Sequence, residues 1–186
     1  MSVVRDAYPI GVPALIVKSQ TDRLGDSGGY AFHLGTPDDV LRRICSWLLT
    51  HGEERVLLDL VHELWTRHGR EDIALAALLL ANLQTVGNVW MILGEVIGSS
   101  STAEALLLSI EECLRAKHAP PSEELLIEWC QRSLAHSHLA LLVCHAAWIR
   151  AKRPPLSPSL SDQFRSISYP DGDSLLVRIR DQMLDS

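Results

Sequence analysis

The sequence predicts an all-α protein built from amphipathic helices in series. Three observations carry that prediction. Apolar residues recur at helical spacing from Val40 onward, capping residues and breakers punctuate the pattern, and no segment sustains the alternation of a strand. Short turns between such helices make antiparallel hairpins, and hairpins in series stack as an α-solenoid or close as a bundle.

The first 36 residues, with Pro9, Pro13 and glycines at 11, 25, 28, 29 and 35, are predicted to be irregular. The first helix carries Val40, Leu41, Ile44, Trp47 and Leu48 on one face. Thr36 is expected as its N-cap, Pro37 at its first position, and Gly52 at its end. A second helix repeats the stripe through Val56, Leu57, Leu60, Val61, Leu64 and Trp65 and ends at Gly69. The third, "REDIALAALLLANL" from Arg70, is apolar nearly all round and must be covered on more than one side.

A shorter helix is expected at about 88–98, followed by one over roughly 102–117 opened by a Ser101/Glu104 capping box. Pro120-Pro121-Ser122 starts another, ending near His136, and one more runs from His138 to about Lys152. Pro154, Pro155 and Pro158 then break the pattern before a final helix with Leu175, Leu176, Ile179 and Met183. Units of roughly 30–45 residues without exact repetition suit degenerate HEAT-like repeats forming a short α-solenoid. The chain divides into an irregular segment 1–36, a repeat domain 37–153, and a proline-broken linker with a closing helix over 154–186.

With 186 residues, 47% hydrophobic and 22% charged, the chain is long and apolar enough for a real core. Its longest apolar runs fall well short of the roughly 20 residues of a membrane span. No charged-then-apolar signal opens the sequence, so an intracellular, cytoplasmic location is expected. Cys45, Cys113, Cys130 and Cys144 are widely spaced within helical patterns, which predicts free, buried thiols and no zinc site.

The net charge is −6, unevenly spread. Residues 1–128 hold 10 Lys/Arg against 18 Asp/Glu, whereas Trp129 to Ser161 holds four Lys/Arg and no acid. That acid-free stretch, with Arg132, Arg150, Lys152 and Arg153, is a candidate phosphate-contacting segment. Cations at a helix C-terminus also offset its dipole, which accounts for the last three but not for Arg132.

Several motifs carry less than they suggest. Gly25-Asp26-Ser27-Gly28-Gly29 spells a serine-protease nucleophile loop, but no histidine precedes Ser27 to serve as base, so a glycine-rich loop is expected. "HELWTRH" fails the HExxH spacing, because Thr66 stands where the second histidine belongs. His136 and His138 have no third ligand nearby, and no metal or cofactor site is predicted. Trp47, Trp65 and Trp129 fit apolar stripes and are expected in the core; Trp90 and Trp148 are less decided.

"YAFHLGTPDDVLRRICSWL" from Tyr30 resembles the aromatic-Leu-Gly-x-x-Pro-x-x-Arg opening of the DNA alkylation repair family, the HEAT-like-repeat DNA glycosylases. "LVHELWTRHGREDIALAALLL" from Leu60, "NVWMILGEVIG" from Asn88 and "EELLIEWCQRSLAHSHLALLVCHAAWIRA" from Glu123 are similar to later segments of that family, in the same order. The resemblance implies a concave face gripping duplex DNA through its phosphates, with Trp90 and Trp148 lining the groove. It also implies an aspartate that stabilises the positive charge developing as an alkylpurine leaves. Met91 and Gly94 stand at the carboxylate positions, and Glu95, one residue on, is the only nearby substitute; a residue step turns a helix by about 100°.

The function expected from these readings is binding of damaged or distorted duplex DNA, with little or no alkylpurine glycosylase activity. The alternative is a helical-repeat scaffold for a protein partner, which the acidic balance of residues 1–128 fits better. Glu95 is the one candidate catalytic residue; Trp90, Trp148, Arg132, Arg150, Lys152 and Arg153 are the candidate nucleic-acid contacts.

Overall fold

The computed structural model describes Tyr8 and residues 30–83, 88–97, 102–169 and 174–185. Every regular element among these residues is a helix: α1 Asp38–His51, α2 Glu54–Arg67, α3 Arg70–Asn82, α4 Val89–Val96, α5 Ala103–Arg115, α6 Glu123–Arg132, α7 Leu134–Arg150, α8 Pro158–Ser166 and α9 Ser174–Leu184. The Ser27 loop and Ser101 lie outside the described residues.

Packing follows the distribution of apolar side chains. In α3, ten of 13 residues are buried, and the helix packs on α1, α2, α4 and α5. In α7, Leu139 through Val143 are fully buried between α5, α6 and α9. Each odd-numbered helix therefore packs on the next, α1 on α3, α3 on α5, α5 on α7, α7 on α9. Among the even ones, α2 touches α4 and α6 touches α8.

A repeat that composition does not reveal emerges from the backbone bonds. Helices α2, α4, α6 and α8 begin at 54, 89, 123 and 158, almost evenly spaced. The ends of α5 and α7 are equivalent 35 positions apart, "RAKHAPPS" from Arg115 and "RAKRPPLS" from Arg150. Lys117 and Lys152 both adopt positive φ, 67° and 63°. Their amides donate to Leu114 and Ile149, and the next amides, His118 and Arg153, reach back to Cys113 and Trp148. These are Schellman closures built on lysine where glycine is favoured. The caps that follow also match, Ser122 Oγ accepting from the Leu125 amide and Ser157 Oγ from that of Leu160.

Several expectations shift. Helix α1 starts at Asp38 rather than Pro37, and the Thr36 amide is drawn to Glu71 instead of opening the helix. Thr102 caps α5, accepting from the Ala105 amide. The α6–α7 break falls at Ser133, whose side chain caps α7, four residues before the expected point. Helix α8 was not expected within the proline-rich segment, although Ser157 as cap and Pro158 in the first turn are a legible start signal. Trp65 and Trp129 are core as predicted, but Trp47 is 61% exposed. Among the described residues α1 is covered on the side of Leu41 and Cys45, and Trp47 lies on its exposed half. Cys45, Cys113 and Cys144 are buried, Cys130 is half-buried, and all four are free. Burial pushes their thiols up, to about 11 for Cys45 and Cys130 and about 12 for the other two.

Because L side chains are strained at positive φ, Lys117→Gly is expected to raise the free energy of unfolding by about 0.5–1 kcal/mol, measured by urea titration. A decrease would mean that the lysine side chain contributes more than the strain costs.

Candidate functional site

The candidate nucleic-acid contacts divide between the core and two separate surfaces. Trp90 is 2% exposed, and its indole N–H donates to the Ala119 carbonyl at 2.6 Å. Trp148 is 3% exposed and donates to the Pro154 carbonyl at 2.8 Å. A buried indole with its one donor committed cannot present a face to a sugar or base. Both tryptophans are therefore packing residues here, a correction to the groove-lining expectation. Ala119 and Pro154 are equivalent positions of the 35-residue offset, so each turn after a lysine closure receives an indole.

The cations are also rearranged by folding. Arg132 ends α6, while Arg150 is the last residue of α7, whose 17 residues span about 25 Å, and Lys152 and Arg153 follow it. Arg150 pairs with Glu111 of α5 at 3.3 Å, and Glu123 accepts from Ser157 at 2.6 Å beside the same turn. Arg153 stacks over the Trp148 ring at 5.6 Å. The stretch is acid-free in sequence but not in space, and its four cations do not form one patch.

Packing accounts for Gly94, where the sequence resemblance would call for a carboxylate. A Cβ on Gly94 would stand 3.0 Å from Trp129 Nε1 and 3.3 Å from two further indole atoms. The buried indole thus occupies the space a side chain at 94 would need. Glu95, one residue on, is solvent-exposed while Trp90 is buried, so the two do not share a pocket. The Gly94 carbonyl is used as well, facing His136 Nε2 at 2.9 Å. A carbonyl only accepts, so Nε2 carries the proton, and Nδ1 is left to accept from Ser133 Oγ at 2.6 Å. Burial, partly offset by the Gly94 carbonyl, lowers the His136 pKa.

The densest group of buried charge was not singled out by the sequence. Glu71 and Asp72, in the first turn of α3, are both fully buried. Glu71 Oε1 accepts from three successive amides, Leu34 at 3.0 Å, Gly35 at 2.9 Å and Thr36 at 3.3 Å. Gly35 stands at φ +73°, a turn that glycine adopts without strain and that aims the three N–H groups at one oxygen. His33 Nε2 lies 3.6 Å from the same oxygen, and burial lowers the His33 pKa against the pull of Glu71. Asp72 accepts from Tyr8 Oη at 3.1 Å and faces Arg67 Nε at 3.2 Å. Burial raises the Asp72 pKa, opposed by Arg67 and the Tyr8 hydroxyl. Two backbone bonds, Ala31 to His68 and Arg70 to Phe32, complete the junction. Carboxylates so engaged anchor residues 30–36 and Tyr8 onto α3. The signal was present: acids opening a helix that is apolar all round must share its burial.

An open groove of about 330 Å³ lies on the surface, lined by Arg42, Cys45, Ser46, Leu49, Leu78 and Asn82 among others. Its floor is apolar and its rim carries hydroxyl and amide groups. Arg42 bridges to Asp38 at 2.7 Å and to Glu112 of α5 at 2.8 Å, which holds one end in place. Among the described residues no cluster of three or more His, Cys, Asp or Glu is arranged to hold a metal ion. No helix among them is long and apolar enough to cross a membrane.

Gly94→Ala is expected to cost about 1–3 kcal/mol by overpacking Trp129, read from denaturant unfolding. A neutral result would mean that the indole can retreat. His33 and His136 have lowered pKa values, so the unfolded chain binds more protons as pH falls through about 6.5, and stability falls with it. Asp72 contributes with opposite sign, since its raised pKa favours the folded state at acid pH. The difference between wild type and His136→Asn isolates one histidine, and the variant is expected to lose less stability between pH 7 and pH 5.5 by about one proton's linkage. Equal pH slopes would exclude this role. Comparison with known protein families, with curated proteins and with solved structures finds no match to this chain.

Proposed function

We propose that the chain is a HEAT-like helical-hairpin module that binds a protein partner and has no catalytic activity of its own. The observation that carries this reading is the packing of each odd helix on the next, with the closures of α5 and α7 repeated 35 residues apart. Stacked hairpins of this kind offer extended surfaces, and such surfaces commonly take peptide or protein. The groove between α1 and α3 supports it, since an apolar floor with a hydrogen-bonding rim suits an apolar side chain flanked by backbone. The acids of the molecule's interior hold its own loops, which argues for a scaffold over a reaction centre.

The reading is tested by affinity capture with wild type and Asn82→Arg, a substitution at an exposed groove residue. One enriched protein, lost by about tenfold in the variant at unchanged melting temperature, is expected. Capture unaffected by the substitution would remove the groove from the reading, and retention of duplex DNA with no protein enriched would overturn the reading.

A second reading, a duplex-DNA-binding protein of the alkylation repair type, keeps one favourable observation. Exposed Lys117, Lys152 and Arg153 follow the ends of the neighbouring helices α5 and α7. In that case replacing Arg132, Arg150, Lys152 and Arg153 together by Ala reduces duplex affinity and flattens its salt dependence, by about one unit of slope per lost phosphate contact. Unchanged affinity and slope would exclude it.

A further inference from the structure

Four of the five tryptophans, Trp65, Trp90, Trp129 and Trp148, are no more than 4% exposed. Trp47 is 61% exposed and, among the described residues, stacks on His51 of its own helix, ring centroids 4.8 Å apart. It belongs to an outer strip of α1 formed by Asp39, Arg43, Trp47 and His51, each four residues from the next. Asp39 and Arg43 pair at 2.9 Å with side chains 72% and 75% exposed. The inward face of the helix is supplied by Leu41 and Cys45, so the described core does not use the indole at 47.

The order of the strip is what identifies a partner. Positions 39 and 51, and positions 43 and 47, are symmetric about Cys45. When two such helices cross antiparallel about a two-fold axis through the outer strip between Arg43 and Trp47, level with Cys45 on the far side of the helix, Asp39 faces an imidazole and Arg43 faces an indole, twice over. A two-fold interface requires a surface complementary to itself in this sense. Guanidinium over indole is a favoured contact, and the antiparallel crossing also sets the acid-rich start of each helix beside the end of the other. The existing Asp39–Arg43 pair is a solvent-exposed i,i+4 contact, weak enough for Arg43 to turn from it.

We propose that the outer strip of α1 is a self-association surface, joining two copies of this chain with Trp47 of each against Arg43 of the other. This goes beyond the proposed binding of a partner protein and uses side chains other than Asn82. With 14 residues, α1 is about 20 Å long, and a single crossing of that length stays below the roughly 1,000 Å² of a stable interface. The dimer is therefore weak and concentration-dependent.

Sedimentation equilibrium of the full chain from about 1 µM to about 1 mM tests it. The average mass of wild type is expected to climb from 20.6 kDa toward twice that value. Trp47→Ala and Arg43→Glu are each expected to remain at the monomer mass with unchanged melting temperatures, since both side chains are exposed. Asn82→Arg is expected to dimerise like wild type, which separates this result from the fate of the groove. The emission of Trp47, taken as wild type minus Trp47→Phe, is expected to move to the blue as concentration rises. A wild type that stays monomeric to about 1 mM, or a dimer that survives both substitutions, overturns the proposal.

Discussion

The requirement that α3 be covered on every side organises this molecule. A helix with apolar residues round its whole circumference is stable only when neighbours surround it. Helices α1, α2, α4 and α5 do so, and the segment 30–36 closes the N-terminal end. The first turn cannot escape that enclosure, so Glu71 and Asp72 are buried with the rest. An unsatisfied buried carboxylate would cost several kcal/mol. Three loop amides on Glu71, and Tyr8 and Arg67 at Asp72, offset that cost and tie Tyr8 and residues 30–36 to the molecule's centre.

From that centre the structure extends by repetition of geometry more than of sequence. The closures after α5 and α7 use the same backbone bonds, the same left-handed lysine and the same serine cap. Between them the helices differ in nearly every side chain, because each must fit a different neighbour. Gly94 illustrates the fitting. Its missing side chain admits the Trp129 indole, its carbonyl orients His136, and through Ser133 that histidine is linked to the cap of α7. A position where a carboxylate might be sought is thus occupied by a packing contact between α4 and α6.

The same economy explains why the candidate contacts dispersed. Trp90 and Trp148 each pack an indole under the turn that follows a lysine closure, an arrangement that needs the ring inside. Arg150 and Arg153 find partners within the fold, one an acid from the adjacent helix and the other an aromatic face. What stays exposed among the described residues near α1 is of another kind. It comprises an apolar groove beside α3 and an aromatic strip on the outer face of α1, both at the end of the molecule where the stack has no preceding hairpin among the described residues.

Helical period, caps and breakers are local quantities, and they placed most of the helices within a few residues from the amino acids alone. They also announced the enclosure of α3, since no other environment suits "IALAALLLA". Local quantities could not decide which side of a helix would find a neighbour, so Trp47 and Trp129, alike in their stripes, ended on the outside and the inside. Nor could they show Glu111 approaching Arg150 from 39 positions away, or a glycine reserved for a distant indole. Those outcomes depend on distances across the packed helices, and the chain acquires such distances only on folding.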